Sequence, residues 1–204
     1  SKAGFVVKTE NELFNIADRL FSDNKFYQIT AGGRKLETLS GNDVRPTTDM
    51  VKEAVFSIIQ FELEGRVFLD LFAGSGQMGI EALSRGAKKA ILVDSSKSSL
   101  AVINRNLETT GLSENAEVKS SDSISYLKGC DEKFDIAFLD PPYRKGLLEK
   151  ALDILPIFMN RTGKIICEHP RDEELPNQIG EFVIKKQYRY GKIMLTAYIH
   201  ESML

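Results

Sequence analysis

Residues 67–79, with the sequence VFLDLFAGSGQMG, restrict the fold of this chain more than any other stretch. The stretch begins with an apolar run that ends at Asp70, which is typical of a strand buried on both faces. Three glycines follow in a GxGxxG pattern, and residues 77–83 have the apolar spacing of a helix. A strand, a glycine loop and a helix in this order form the first turn of a nucleotide-binding α/β sheet.

Strand-like and helix-like segments alternate through the rest of the chain. Strands are predicted at residues 67–70, 90–94, 117–119, 134–139 and 164–167, and helices at about 47–60, 77–83, 96–109 and 147–158. This alternation predicts an α/β fold, with a mostly parallel sheet and helices on both faces. Two β-rich runs, at residues 182–188 and 193–199, predict an antiparallel C-terminal hairpin at the edge of the sheet.

Acidic residues stand at the carboxyl ends of four of the predicted parallel strands. They are Asp70, Asp94, Asp122 and Asp140. Because the carboxyl ends of parallel strands meet at one edge of a sheet, these side chains are expected to line one crevice, where open α/β sheets bind ligands. Capping of loops would explain one or two such residues, whereas four in succession favour a binding site.

The charge around the glycine loop indicates which nucleotide would bind there. No Lys or Arg lies between Asp70 and Gly79, and Asp94 stands about 20 residues after the first glycine, where an acid would hold ribose hydroxyls. Carboxylates beside the loop repel a pyrophosphate but attract an amino group. S-adenosylmethionine therefore fits better than NAD, and a tight turn without a ligand is the simpler alternative.

The tetrapeptide Asp140-Pro141-Pro142-Tyr143 suits the chemistry of an amine. Two successive prolines restrict the backbone and remove two N–H donors, so a carbonyl and the Asp140 carboxylate are presented rigidly as acceptors. Such a pair suits a nitrogen that carries two hydrogens, as an exocyclic base amine does. Tyr143 offers a flat face on which a base taken out of its stack would lie.

Composition restricts the partners and the compartment. The chain has 204 residues and a net charge of −2, so a nucleic-acid partner must be met by a local patch or be presented in a folded complex. Cys130 and Cys167 are expected to be free thiols, and no metal site is expected from the isolated His169 and His200. The sequence shows no membrane-spanning run and no secretory signal, so a cytoplasmic protein is expected.

Three regions are predicted along the chain. Residues 1–24 form an extension in which residues 12–21 have the apolar spacing of an amphipathic helix, and residues 25–44 form an N-terminal β-hairpin that would face RNA. Residues 45–204 form the main domain. Arg34 and Lys35, near the turn of the hairpin, are either solvated charges or phosphate contacts.

Three motifs together resemble those of the RsmD-type bacterial methyltransferases, which methylate guanine N2 in 16S ribosomal RNA. They are FLDLFAGSGQMGIEALSRGA, RPTTDMVKEAVF and FLDPPY, and they occur in the order of that family across roughly residues 26–199. FLDLFAGSG and DPPY occur in many amino-group methyltransferases, whereas RPTTD with EALSRGA is narrower. The resemblance implies a seven-stranded Rossmann-like methyltransferase sheet, S-adenosylmethionine as methyl donor, and 16S rRNA as partner, within the small ribosomal subunit or its precursor.

The resemblance also implies roles for individual residues. The catalytic motif would be Asp140, Pro141, Pro142 and Tyr143. The cofactor would contact Arg45, Thr47, Asp70, Phe72, Ala73, Gly74, Gly76, Gly79, Asp94, Ser95, Asp122 and Ser123. RNA contacts are expected at Arg34, Lys35, Arg45 and Arg144.

The chain departs from the family pattern at three places. Asp94 stands where Glu is more usual, residues 1–24 precede the usual start, and the hairpin sequence ITAGGRKL is less basic than is usual. Alternative interpretations are methylation of another amine, such as adenine N6 or a protein glutamine, a NAD-dependent oxidoreductase, and a non-catalytic RNA-binding protein.

Overall fold

The computed structural model describes residues 27–29, 33–39 and 49–204. The predicted extension at residues 1–24 lies outside these residues, as do the predicted cofactor contacts Arg45 and Thr47. The division into three regions therefore stays a prediction. Within the described part of the chain, no helix combines the length and the apolar character needed to cross a membrane.

Helices and strands alternate as the apolar pattern predicts. The strands are β1 Tyr27–Ile29, β2 Lys35–Glu37, β3 Val67–Asp70, β4 Lys89–Asp94, β5 Ala116–Ser120, β6 Phe134–Leu139, β7 Met159–Pro170, β8 Gln178–Ile179, β9 Phe182–Tyr190 and β10 Ile193–His200. The helices are α1 Asp49–Ile59, α2 Gln77–Ser84, α3 Lys97–Thr110, α4 Ser123–Lys128 and α5 Leu147–Ile154, and short 3₁₀ turns cover Ser113–Asn115, Leu155–Phe158 and Glu201–Met203.

The main sheet has the strand order β5-β4-β3-β6-β7-β10-β9-β8, with parallel pairing from β5 to β7 and antiparallel pairing beyond. The predicted mostly parallel sheet and C-terminal hairpin are therefore confirmed. The predicted number of seven strands was wrong, because eight strands occur in this sheet among the described residues. The eighth, β8, has two residues and pairs with β9 across a turn at Gly180, so it is too short to show an alternating pattern.

The crevice of the sheet lies between β3 and β6. From β3 the chain proceeds to β4 and β5 on one side, and then returns to place β6 on the other side of β3. Two loops therefore leave the carboxyl ends of adjacent strands in opposite directions, and a ligand fits in the crevice between them. Asp70 ends β3 and Asp140 follows β6 at this position.

Alternate residues of the central strands pack on opposite faces of the sheet. Phe68 and Leu92 belong to one core cluster, which α1, α2 and α3 cover. Leu69 and Ile91 belong to the other, which α4 and α5 cover. The prediction of helices on both faces is confirmed, and burial of both faces explains why these strands are continuously apolar in the sequence.

The N-terminal hairpin of β1 and β2 packs on α3. Leu36 is buried in the first core cluster. The Glu37 N–H donates to Asn106 Oδ1 at 2.7 Å, and Asn106 Nδ2 donates to the carbonyls of Glu37 at 2.9 Å and Ser75 at 3.0 Å. Asn106 thus joins the hairpin to the glycine loop. The antiparallel pairing of β1 with β2 confirms the predicted hairpin, and its contact with RNA stays a prediction.

Close packing of α2 on β4 depends on Gly79. A Cβ atom at this position would lie 2.7 Å from Leu92 Cγ, inside van der Waals contact, and Leu92 is itself fully buried. The third glycine of the GxGxxG pattern therefore has a packing role, because it lets the helix approach the strand.

Replacing Gly79 with Ala is expected to destabilise the protein by about 1 kcal/mol, because overpacking of a core costs ~1–3 kcal/mol and the gain in helix propensity offsets ~1 kcal/mol of this cost. The free energy of unfolding in urea measures this change. Gly129→Ala is the matched control, since the nearest atom to a Cβ there is 3.8 Å away. Equal stability of the two variants would contradict the packing argument.

Candidate functional site

A cavity of about 830 Å³ lies at the carboxyl ends of β3, β4 and β6. Its volume is in the range of cofactor sites. Twelve of the predicted site residues line it: Asp70, Phe72, Ala73, Gly74, Asp94, Ser95, Asp122, Ser123, Asp140, Pro141, Pro142 and Tyr143. The structure therefore brings the glycine loop, the strand-end acids and the proline motif together around one space.

Asp70 is buried at the floor of this cavity. Its Oδ2 accepts a hydrogen bond of 3.0 Å from the Gly79 N–H, in the first turn of α2. Burial raises the pKa of the Asp70 carboxyl to about 7; the Gly79 hydrogen bond opposes this shift, and the nearby Asp94 charge adds to it. A cation bound in the cavity would stabilise the ionised form.

Asp94 holds the glycine loop against the end of β4. Its Oδ2 accepts from the Gly74 N–H at 2.9 Å, and its Oδ1 accepts from the Ser96 N–H at 2.8 Å. The side chain is half-buried at the cavity wall. It therefore combines a structural role in the loop with a position from which it can meet a ligand.

Asp122 and Ser123 also have structural partners. Asp122 Oδ1 caps α4 by accepting from the Ile124 N–H at 3.1 Å and the Ser125 N–H at 3.0 Å. The Ser123 hydroxyl donates to the Leu71 carbonyl at 2.8 Å and is buried. Both residues line the cavity, so their predicted contact with a ligand stays a prediction.

Two glycines of the loop act in different ways. Gly74 has φ +55°, and no atom lies within 4 Å of a Cβ placed there, so its backbone faces open space beside the cavity. Gly76 has φ +79°, and a Cβ there would lie 3.0 Å from Leu92 Cδ2. The left-handed backbone favours glycine at both positions. Gly76 and Gly79 do not line the cavity, and they serve the packing beneath the loop.

The proline motif forms the other wall of the cavity. Asp140 is half-buried, Pro141 is buried, and the Tyr143 hydroxyl donates to Glu168 Oε1 at 3.0 Å. The next residue, Arg144, has φ +60°, a backbone conformation that is uncommon for a residue with a side chain. Such strain persists only where the surroundings impose it, and it is common at functional sites.

Two residues that line the cavity were not predicted from the sequence. Glu168, at the end of β7, is 3% exposed and holds the Tyr143 hydroxyl. Glu168 is a further acid near the carboxyl end of a parallel strand, so the pattern that identified the four aspartates could have identified it from the sequence. Gln77, the first residue of α2, is buried, and its Nε2 has no acceptor among the described residues. No sequence pattern indicates that side chain.

The predicted RNA contacts are spread over the surface. Arg34 donates to the carbonyl of Thr110, the last residue of α3, and Lys35 is exposed on β2. Arg144 lies outside the main cavity and forms an exposed ion pair of 3.2 Å with Asp172. Arg45 lies outside the described residues.

Comparison with known proteins shows strong similarity over most of the chain. The family model described as conserved hypothetical protein 95 matches residues 27–199. Ribosomal RNA small subunit methyltransferase D of Escherichia coli K12 is 39% identical over 172 residues, which cover 83% of this chain and 86% of the relative. The protein of the same name from Haemophilus influenzae is 41% identical over 134 residues, which cover 63% and 69%. A solved structure, a conserved hypothetical protein of Streptococcus pyogenes, has a TM-score of 0.70 and 31% identity, covering 74% of this chain and 96% of that one.

The substitution Asp70→Asn keeps an oxygen acceptor for the Gly79 N–H and removes the ionisable group. Because the pKa of Asp70 in the folded chain is about 7, above the ordinary 3.8, the folded chain binds more protons than the unfolded chain between these values. The contribution of Asp70 to stability is therefore full below about pH 4 and is lost as pH rises through about 7. We expect the variant to gain stability relative to the parent as pH rises from about 4 to about 7, as measured by urea unfolding.

The exposed Asp131 gives the control for this experiment, because Asp131→Asn makes the same chemical change at a carboxyl that is not buried. A difference between Asp70→Asn and the parent that stays constant over this range would show that the buried carboxyl is not the source.

Proposed function

Because this chain belongs to the conserved hypothetical protein 95 family of RsmD-type methyltransferases, we propose that it methylates the exocyclic N2 amino group of a guanine in 16S ribosomal RNA. The chain is an S-adenosylmethionine-dependent rRNA methyltransferase. In this proposal the target is a guanine of the position-966 type, within the small ribosomal subunit or its precursor. Cytoplasmic location follows from that substrate.

One observation carries the proposal. The rigid corner Asp140-Pro141-Pro142-Tyr143 and the acid-flanked glycine loop line the same cavity, on opposite sides of the crevice between β3 and β6. A site for a cationic methyl donor and a site for an amine therefore share one space. A NAD-dependent oxidoreductase would not require the proline corner, and its dinucleotide would meet carboxylates where it needs N–H donors.

The cavity residues fit S-adenosylmethionine. The Asp70 and Asp94 carboxylates suit an ammonium group and ribose hydroxyls, and the open space at Gly74 leaves room beside the loop. The buried Gln77 Nε2, without an acceptor among the described residues, suits the carboxylate of the amino acid moiety. When bound, the cofactor supplies an electrophilic methyl group on a sulfonium.

Asp140 and the Pro141 backbone hold the substrate amine in this proposal. The amine of guanine donates one hydrogen to the Asp140 carboxylate and the other to the Pro141 carbonyl. Its lone pair is delocalised into the ring, so two acceptors that draw the hydrogens to one side help the nitrogen to become pyramidal and orient the lone pair. Positioning and a preorganised polar site supply most of the acceleration.

Glu168 acts on Tyr143 as a positioning residue. The hydrogen bond of 3.0 Å fixes the position of the phenol oxygen, and so the direction in which the side chain extends beside Pro141 and Pro142. A ring held in this way presents a constant face to a flipped base and loses little entropy when the base stacks on it. Because Glu168 is buried, this hydrogen bond is little exposed to competition from water.

The proposal predicts the product of a labelled transfer reaction. Methyl-labelled S-adenosylmethionine is incubated with the protein and with deproteinised rRNA, small ribosomal subunits, DNA or protein substrates, and the products are digested to nucleosides. We expect the label in N2-methylguanosine from 16S rRNA. Label in N6-methyladenosine or in a protein amide would support the alternative amine substrates instead, and absence of transfer would contradict the proposed function.

Substitution of two acids is expected to separate transfer from cofactor binding. Asp140→Ala should lower the single-turnover rate of transfer by ~10²–10³-fold, the size of loss that removal of one preorganised hydrogen-bonding group from an active site causes, and leave the cofactor Kd within a few fold. Asp94→Ala should weaken cofactor binding first. The exposed Asp131→Ala variant controls for loss of a surface acid. Equal loss of binding and transfer in Asp140→Ala would make Asp140 a cofactor ligand.

A further inference from the structure

The C-terminal hairpin has a charge opposite to that of the chain. The whole protein carries a net charge of −2, but residues 182–200 contain no Asp or Glu. The same segment contains four basic residues, Lys185, Lys186, Arg189 and Lys192, within the sequence KKQYRYGK. The sequence therefore concentrates positive charge at one end of the fold.

The turn of this hairpin lies beside the carboxyl ends of the parallel strands, where the cavity also lies. Tyr190 pairs with Ile193, and Ile193 pairs with Pro170 at the carboxyl end of β7. Since β7 is parallel to β6, Pro170 lies at the edge from which the proline motif leaves. Three strand spacings separate β9 from β6, which amounts to about 14 Å, a distance that a few nucleotides of a single strand can cover.

The basic side chains of this hairpin are available to a partner. Lys186, Arg189 and Lys192 are exposed, and among the described residues no carboxylate lies within ion-pair distance of them. The Lys186 ammonium lies 4.9 Å from the centroid of the Tyr188 ring. Tyr188 and Tyr190 are half-buried and pack on the first core cluster, so the surface between the charges is rigid and aromatic.

Acidic residues near this surface belong to a different segment. Asp172, Glu173 and Glu174 follow β7, and Asp172 is paired with Arg144. Arg144, Lys145 and Arg171 equal these three acids in number, so the four basic residues of the hairpin give the region a positive balance.

We propose that the open edge strand and turn that carry Lys186, Tyr188, Arg189, Tyr190 and Lys192, the basic hairpin surface, bind the phosphate backbone of the RNA strand whose target base enters the cavity. Lys186, Tyr188 and Tyr190 lie on one face of β9, and Arg189 lies on the other, beside the open edge. The inference rests on the proposed function, which makes RNA the substrate. A single-stranded backbone pairs with basic side chains, and aromatic rings beside them stack its bases without regard to sequence. The surface would direct the strand toward the proline motif.

The basic residues of an edge strand have a simpler explanation, which is protection against pairing with another sheet. Among the described residues, β8 covers only Phe182 and Val183 of β9, so the outer edge from Lys185 to Tyr190 is open. Protection of an edge works with either sign of charge, however. The exclusive use of positive charge, in a chain with a negative balance, favours an anionic partner.

The test compares two triple variants of equal charge. The first combines Lys186→Gln, Arg189→Gln and Lys192→Gln. The second, the matched control, combines Lys88→Gln, Lys128→Gln and Arg161→Gln. These three exposed positions lie near the amino ends of the parallel strands, away from the cavity. Transfer is measured with 16S rRNA and with small subunits over a range of salt concentrations. Equilibrium binding to a 16S rRNA fragment and to the cofactor is measured alongside.

We expect the first variant to raise the KM for RNA by roughly 10- to 100-fold and to reduce the slope of log Kd against log salt by about 2 to 3, with kcat and cofactor Kd within about twofold of the parent. The control should stay near the parent in all four quantities. Equal effects in both variants, or an unchanged KM and salt slope, would overturn the proposal.

Two further outcomes separate the possible failures. If the first variant loses activity on subunits but binds the rRNA fragment as the parent does, the surface contacts ribosomal protein and RNA docking is overturned. If its only defect is self-association, edge protection is its role and the proposal is also overturned. If the parent protein methylates no RNA, the proposed function fails, and fragment binding by the two variants still decides whether this surface holds RNA.

Discussion

The hydrogen bond from the Gly79 N–H to the buried Asp70 carboxylate is the interaction on which the site depends. It joins the end of the central strand β3 to the first turn of α2, so the glycine loop between them is closed at its base. Burial makes this arrangement costly for an ionised carboxyl, and it raises the pKa of Asp70 to about 7. Close packing of Gly79 on Leu92 then sets the distance between helix and sheet.

The acids at the ends of the parallel strands both build the site and line it. Asp70 holds α2, Asp94 holds the Gly74 N–H, and Asp122 caps α4. Each of these carboxylates satisfies backbone donors that would otherwise be unpaired at a loop or a helix start. The same negative edge suits a cationic ligand, so scaffold and electrostatic function come from one set of residues rather than from separate layers.

Positive charge is placed at two hairpins on either side of this negative edge. The N-terminal hairpin uses Arg34 to contact the carbonyl end of α3, where a cation interacts favourably with the helix dipole. The C-terminal hairpin leaves its basic side chains exposed beside rigid tyrosines. The overall charge of −2 does not attract RNA. In our proposal the C-terminal hairpin supplies this attraction through its local positive charge.

The sequence by itself determined the order of strands and helices, the glycine loop and the proline motif, because apolar periodicity and special backbone residues are local properties. Tertiary structure decided the rest. Pairing of distant strands placed Glu168 at the Tyr143 hydroxyl, 25 residues away in the chain, and it placed the basic hairpin at the edge of the cavity. The strand β8 and the buried side chain of Gln77 were also visible only in the tertiary structure. A strand of two residues shows no alternating pattern, and no sequence pattern predicts a buried amide without an acceptor.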